Sequence, residues 1–306
     1  MTVQSIKDKL SVIVTSVFTL LVLIIRIIVT PQMQDTYTGH FEISYAVIAI
    51  LAVGMIAVLL LSLLFPRPEQ YLTGKPATIT SAAMMICGSV LLLSNVYDFI
   101  VWMLYGRTPP PNLTILNNMD AITLFLSIAM GIIGGAYFIR MGLYGVAENG
   151  FHNAGSKLCA LAPTLWIWMR LARYEMSYAS AISVTESFYD FVMLIFTMLF
   201  FFGFARYITG IKQKPSRVLV FFALCTAMFT LSGTLTRFAM YLMNENFAFN
   251  ASRLAGVTDF AVGIFALTFA WCYAFNKNKE VSEPEVIDEP METSLDDILD
   301  DIYKDE

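Results

Sequence analysis

The sequence predicts an all-α protein, a polytopic transmembrane helix bundle of about eight spans followed by a disordered acidic C-terminal tail. Three observations carry that expectation. Hydrophobic residues fill 57% of the 306 positions and charged residues only 14%, where a soluble domain carries roughly 25% charged residues. The apolar residues gather into eight runs, each close to the ~20 residues a helix needs to cross the hydrocarbon layer. The charge is also segregated. Residues 277–306 hold twelve acidic and three basic side chains, net −9, so the preceding 276 residues are +4 while the whole chain is −5. That asymmetry marks the tail as a separate unit.

The runs lie near 10–30, 44–65, 79–105, 120–140, 158–175, 183–208, 218–243 and 254–276, making 1–276 the membrane domain. The first is longer than the core of a signal peptide and is expected to remain as a span. Helix-stopping residues occupy the gaps: Pro31, Pro66 and Pro68, Gly74 and Pro76, Pro109 to Pro111, Gly150, Gly210 and Pro215. The fifth run is the weakest, because Arg170 and Arg173 interrupt it. Loop charge tests it independently, since cytoplasmic loops are rich in Lys and Arg. With the N-terminus inside, the inner segments hold Lys7, Lys9, Arg67, Lys75, Lys157, Lys212, Lys214, Arg217, Lys277 and Lys279. The outer loops hold only Arg107 and Arg253. Both halves of the chain agree across the fifth span, which predicts eight crossings with both termini cytoplasmic. Asn112-Leu-Thr and Asn250-Ala-Ser, in outer loops, match a glycosylation acceptor, at a frequency chance supplies.

Eight ionisable residues fall inside the spans: Arg26, Arg170, Arg173 and Arg237 against Asp98, Glu186, Asp190 and Asp259. Each such charge costs roughly 2.5–3.5 kcal/mol at the bilayer centre, so partners or water are required. All eight lie in the outer third of their spans. Pro163, Trp166, Arg170 and Arg173 share one helix face, and Ser183, Glu186, Ser187 and Asp190 share another. At ~1.5 Å per residue, depths match as Arg170 with Asp190, Arg173 with Glu186 and Arg237 with Asp259. Arg26 and Asp98 are left for each other. These pairs either clamp helices together or line an outward-facing polar cavity for an anionic or zwitterionic ligand. Trp166, Trp168 and Tyr189 suit a cavity lining as well as an interfacial belt.

Gly131 and Gly135 read as a close helix contact, with a broken helix at a transport site as the sharper alternative. The seventeen methionines read as adaptable packing. Cys87, Cys159, Cys225 and Cys272 each sit in an apolar run without Cys-x-x-Cys spacing, and His40 and His152 fall in loops on opposite sides. Neither a disulfide framework nor a metal site is expected, and nothing points to a cofactor or to nucleic acid.

The tail has two parts. Residues 277–292 are acidic and broken by Pro284 and Pro290, a linker composition. Over 294–303, Leu295, Ile298, Leu299 and Ile302 form one apolar stripe among Asp296, Asp297, Asp300 and Asp301, and Ser294 with Asp297 resembles a capping box. A short amphipathic helix of this charge suits a groove on a cytoplasmic protein partner, or else the tail only keeps the chain soluble. The glycine and ligand spacing of an EF-hand are missing.

The sequence carries no His-rich motif, phosphate-binding glycine loop or acid–base pair on the cytoplasmic side, so an enzyme is disfavoured. A receptor- or scaffold-like membrane protein uses both the outward charged cluster and the tail. A transporter or channel for a small anionic or zwitterionic solute is the alternative, although only Pro163 interrupts a span, without a matching break in the other half. The segments Pro163-Thr-Leu-Trp166-Ile-Trp-Met-Arg170 and Phe200-Phe-Phe-Gly-Phe-Ala-Arg206 resemble stretches of uncharacterised multi-pass integral membrane proteins of Gram-positive bacteria. The resemblance implies a bacterial plasma membrane and brings no assigned activity; the apolar spans themselves make the lipid bilayer the expected partner.

Overall fold

The computed structural model describes residues 3–29, 45–64, 72, 74–105, 118–148, 156–178, 184–209, 217–243 and 253–275. All belong to the unit Met1–Asn276. The tail, with Leu295, Ile298, Leu299 and Ile302, lies outside the described residues, as do both histidines and the side chain of Glu186.

Eight α-helices occur among the described residues. They are α1 (Val3–Val29), α2 (Tyr45–Leu64), α3 (Lys75–Tyr105), α4 (Asn118–Ala147), α5 (Ala162–Tyr178), α6 (Val184–Ile208), α7 (Arg217–Met243) and α8 (Arg253–Phe275). Helices α3, α4, α6, α7 and α8 contain stretches long and apolar enough to cross a membrane, and α1 and α2 contribute the shorter apolar stretches Val12–Ile28 and Val47–Leu60. Large apolar side chains stand outward along these helices, among them Leu20, Ile24, Ile86, Leu93, Phe202 and Phe238. In water a surface of that kind would drive aggregation; against lipid it costs nothing. The protein is a multi-pass helical membrane protein.

The fifth predicted run resolves into a 3-10 turn, Cys159–Leu161, followed by α5. Pro163 therefore stands in the first turn of α5 rather than breaking it, where its missing N–H leaves no helical bond unmade. It seats on α4, since a Cβ placed on Gly134 would come within 3.1 Å of the Pro163 nitrogen. The apolar stretch of α5 falls short because of Arg170 and Arg173, yet the helix packs against both α4 and α6.

The expected glycine contact lies between α3 and α4, and it is longer than the sequence indicated. A Cβ on Gly88 would lie 2.8 Å from the Gly135 carbonyl oxygen, and one on Gly135 would lie 2.8 Å from that of Gly88. Gly131 leaves room for the Asn95 side chain, and Gly142 leaves room for Met85. Close approach of small residues replaces the hydrophobic driving force that lipid removes. α4 runs on without a break through these glycines, which disposes of the broken-helix alternative.

Helix α7 is the most enclosed, with every residue from Ala223 to Thr234 buried. Several of its hydroxyls bond back within the helix: Thr230 donates to the Thr226 carbonyl at 2.7 Å, Thr234 to Thr230 at 2.6 Å and Thr236 to Ser232 at 2.7 Å. The buried Thr226 hydroxyl, by contrast, meets no partner among the described residues. At the end of the bundle where α6 and α8 finish, Phe138, Phe200, Phe204, Phe265 and Phe269 form an aromatic core. Edge-to-face contacts join Phe204 to Phe265 at 5.0 Å and to Phe269 at 5.4 Å. Tyr207 extends this core and accepts a hydrogen bond at 2.9 Å from the backbone N–H of buried Leu72, which anchors the approach to α3.

Candidate functional site

The opposite end of the bundle is charged. Arg26 lies in the last turn of α1. Asp98, Arg170 and Arg237 precede the ends of α3, α5 and α7, and Asp190 and Asp259 follow the starts of α6 and α8, all within roughly two turns. Consecutive antiparallel helices thus deliver these side chains to one layer.

Within the layer the partners differ from those expected by depth. Arg170 forms a two-pronged pair with Asp259, its Nη1 donating at 2.7 Å and its Nη2 at 3.1 Å to the two carboxylate oxygens. Arg237 Nη2 donates to both oxygens of Asp190 at 2.6 Å. The pairings of Arg170 with Asp190 and of Arg237 with Asp259 are therefore replaced. The reason is rotational. Arg170 stands seven residues after Pro163, nearly two turns, so both share a face. Pro163 seats that face on α4, which brings Arg170 to the gap among α3, α4 and α8, where Asp259 rather than Asp190 bonds it. The stripe containing Trp166, Arg170 and Arg173 is correct as a face; its neighbour is not the next helix along the chain.

That gap is a cavity of about 70 Å³, lined by Ser94, Asn95, Asp98, Ser127, Trp166, Arg170, Arg173 and Thr258 with two aliphatic side chains. A single water needs roughly 10–15 Å³ of such space, so several waters or one small polar group fit. Asp98 faces Arg173 and Arg170 here; it does not meet Arg26 as the depths suggested. Trp166 forms part of the wall and stacks under the Arg170 guanidinium, 4.9 Å from ring to carbon. Trp168 is instead exposed and faces outward. Thr258 bridges to Ser94 at 3.4 Å, tying α8 to α3. Ser94, Asn95, Ser127 and Thr258 were not singled out from the sequence. The available hint was spacing: Ser94 and Asn95 stand one turn before Asp98, and Thr258 adjoins Asp259.

A second grouping joins α1, α6 and α7. The Arg26 guanidinium lies 4.4 Å from the Tyr189 ring centre. The Tyr189 hydroxyl donates to the Phe229 carbonyl at 2.6 Å and stands 2.7 Å from Ser232 Oγ. Arg26 is only 4% exposed, and its Nε and Nη1 have no hydrogen-bond acceptor among the described residues. A desolvated cation–π contact contributes ~2 kcal/mol, less than the several kcal/mol that burying an uncompensated ion costs. Tyr189 therefore offsets only part of the penalty.

Cys87, Cys225 and Cys272 are buried free thiols, and Cys159 is a half-buried one. Among the described residues no three His, Cys, Asp or Glu side chains group as metal ligands. The side chains brought together in this layer offer ionic and hydrogen-bonding contacts. The chain matches no family model, no curated protein and no solved structure.

Proposed function

We propose that this is a receptor- or scaffold-like protein of the plasma membrane, with both termini cytoplasmic, that binds a small polar solute in the Asp98 cavity. The carrying observation is the cavity itself. Ion pairs that only clamp helices have no use for polar space beside them, yet Asp98, Arg173 and four uncharged polar residues surround room for a ligand group. The adjacent carboxylate and guanidinium groups suit a zwitterion or a small anion. On this reading Arg170 and Asp259 hold the wall in place, and the tail stripe Leu295, Ile298, Leu299 and Ile302 docks a cytoplasmic partner. A transporter uses the same cavity, but the uninterrupted helices around it lack the broken segments that mark many transport sites.

The test is a thermal-shift titration of purified protein with zwitterionic and anionic solutes. Wild type is compared with Ser127→Met, which fills the cavity without touching a charge, and with the chain lacking residues 293–306. A solute that stabilises wild type should lose its effect in Ser127→Met and keep it without the tail. Equal stabilisation of Ser127→Met would exclude the cavity as the binding site.

A further inference from the structure

We infer that Arg26 is an oxyanion-binding residue, forming with Tyr189 a site that shares no residue with the Asp98 cavity. Three facts carry this. First, Arg26 is enclosed by protein, at 4% exposure, although it lies in the last turn of α1. Second, Nε and Nη1 together carry three N–H donors, and none meets an acceptor among the described residues. Third, the nearby polar groups are committed elsewhere. Asp190 is held by Arg237, and the Tyr189 hydroxyl is held by Phe229 and Ser232. Tyr189 offers only its ring, 4.4 Å from the guanidinium carbon, which supplies no acceptor for the N–H groups. A guanidinium held against an aromatic ring with its N–H donors unmet suits phosphate or carboxylate oxygens. The C-terminal dipole of α1 favours the positive charge but provides no oxygen for these two nitrogens.

The oxyanion can be free in solution or carried by a phospholipid headgroup, because Arg26 is near the end of a membrane helix. Protein in a neutral detergent is titrated with inorganic phosphate against chloride of matched ionic strength. In parallel it is placed in nanodiscs of phosphatidylcholine with and without phosphatidylglycerol. The readout is the thermal midpoint of wild type, Arg26→Met, Arg26→Lys and Asp98→Asn.

Wild type should be stabilised by phosphate, by the anionic lipid or by both, and the responding arm identifies the source. Arg26→Met, which keeps an extended side chain but no donor, should show no response. Arg26→Lys retains the charge without the planar donor set and should bind roughly tenfold more weakly. Asp98→Asn should respond as wild type does, which separates this site from the cavity. The inference is overturned if neither arm stabilises wild type, or if Arg26→Met responds like wild type. Loss of the response in Asp98→Asn would also overturn it. If Arg26→Met does not fold, an unchanged affinity in Arg26→Lys overturns it alone.

Discussion

Replacing Arg170 by alanine tests the central geometric result, the Arg170–Asp259 pair. Asp259 has 6% of its side chain exposed and receives both bonds from Arg170, at 2.7 and 3.1 Å. Taking the two charge centres as ~4 Å apart with an effective dielectric of ~20 gives an attraction of about 4 kcal/mol. Breaking a buried pair from one side costs about 3–5 kcal/mol, because the remaining charge is left without compensation. Two features lower that expectation. Arg170 is 19% exposed, and the neighbouring cavity lets water approach an orphaned carboxylate. A loss of about 2–3 kcal/mol is expected for Arg170→Ala by the same reasoning. The assay is reversible unfolding in mixed micelles across the cycle Arg170→Ala, Asp259→Ala and the double variant. Removing both charges should recover much of the loss, giving a coupling of about 1.5 kcal/mol or more. The matched cycle of Arg170→Ala with Asp190→Ala should couple more weakly, because those groups do not bond. Simple additivity at Arg170 and Asp259, or stronger coupling to Asp190, would refute the arrangement.

Three further outcomes are expected. Gly135→Leu should separate α3 from α4, because even a Cβ meets the Gly88 carbonyl oxygen and Leu92 at 2.8 Å; a loss of about 1–3 kcal/mol or more in unfolding measurements checks this, and an unchanged midpoint contradicts the contact. Tyr189→Phe keeps the ring under Arg26 but deletes the hydroxyl bonded to Phe229 and Ser232, and should cost about 1–2 kcal/mol in the same assay. For the proposed orientation, cysteines placed at Asn112 and Asn250 in a background without native cysteines should react with an impermeant thiol reagent on intact cells, and one at Lys212 should not. Labelling at Lys212 alone reverses the orientation.

The sequence by itself determined the solvent, the helical class and the identity of the difficult residues. Lipid forbids unpaired backbone, so a long apolar run can only be a helix. The eight runs correspond to the eight helices of the described residues, with most ends shifted by four residues or fewer and the start of α1 and the end of α4 by seven. A charge at membrane depth is costly wherever it points, so Arg26, Asp98, Arg170, Arg173, Glu186, Asp190, Arg237 and Asp259 stood out from their positions within apolar runs. Relative height along the bundle was also legible, because helix rise is constant and alternate helices run in opposite directions. What tertiary structure decided was rotation and neighbourhood. Rise along the axis says nothing about which way a helix is turned. Pro163 on Gly134, and Gly88 against Gly135, fixed that for α5 and for the α3–α4 pair. Once turned, Arg170 met Asp259 across a cavity, Asp190 met Arg237, and Arg26 met an aromatic face instead of a carboxylate. A guanidinium reaches far enough to choose among several helices, so equal depth made the pairs possible and only packing selected among them.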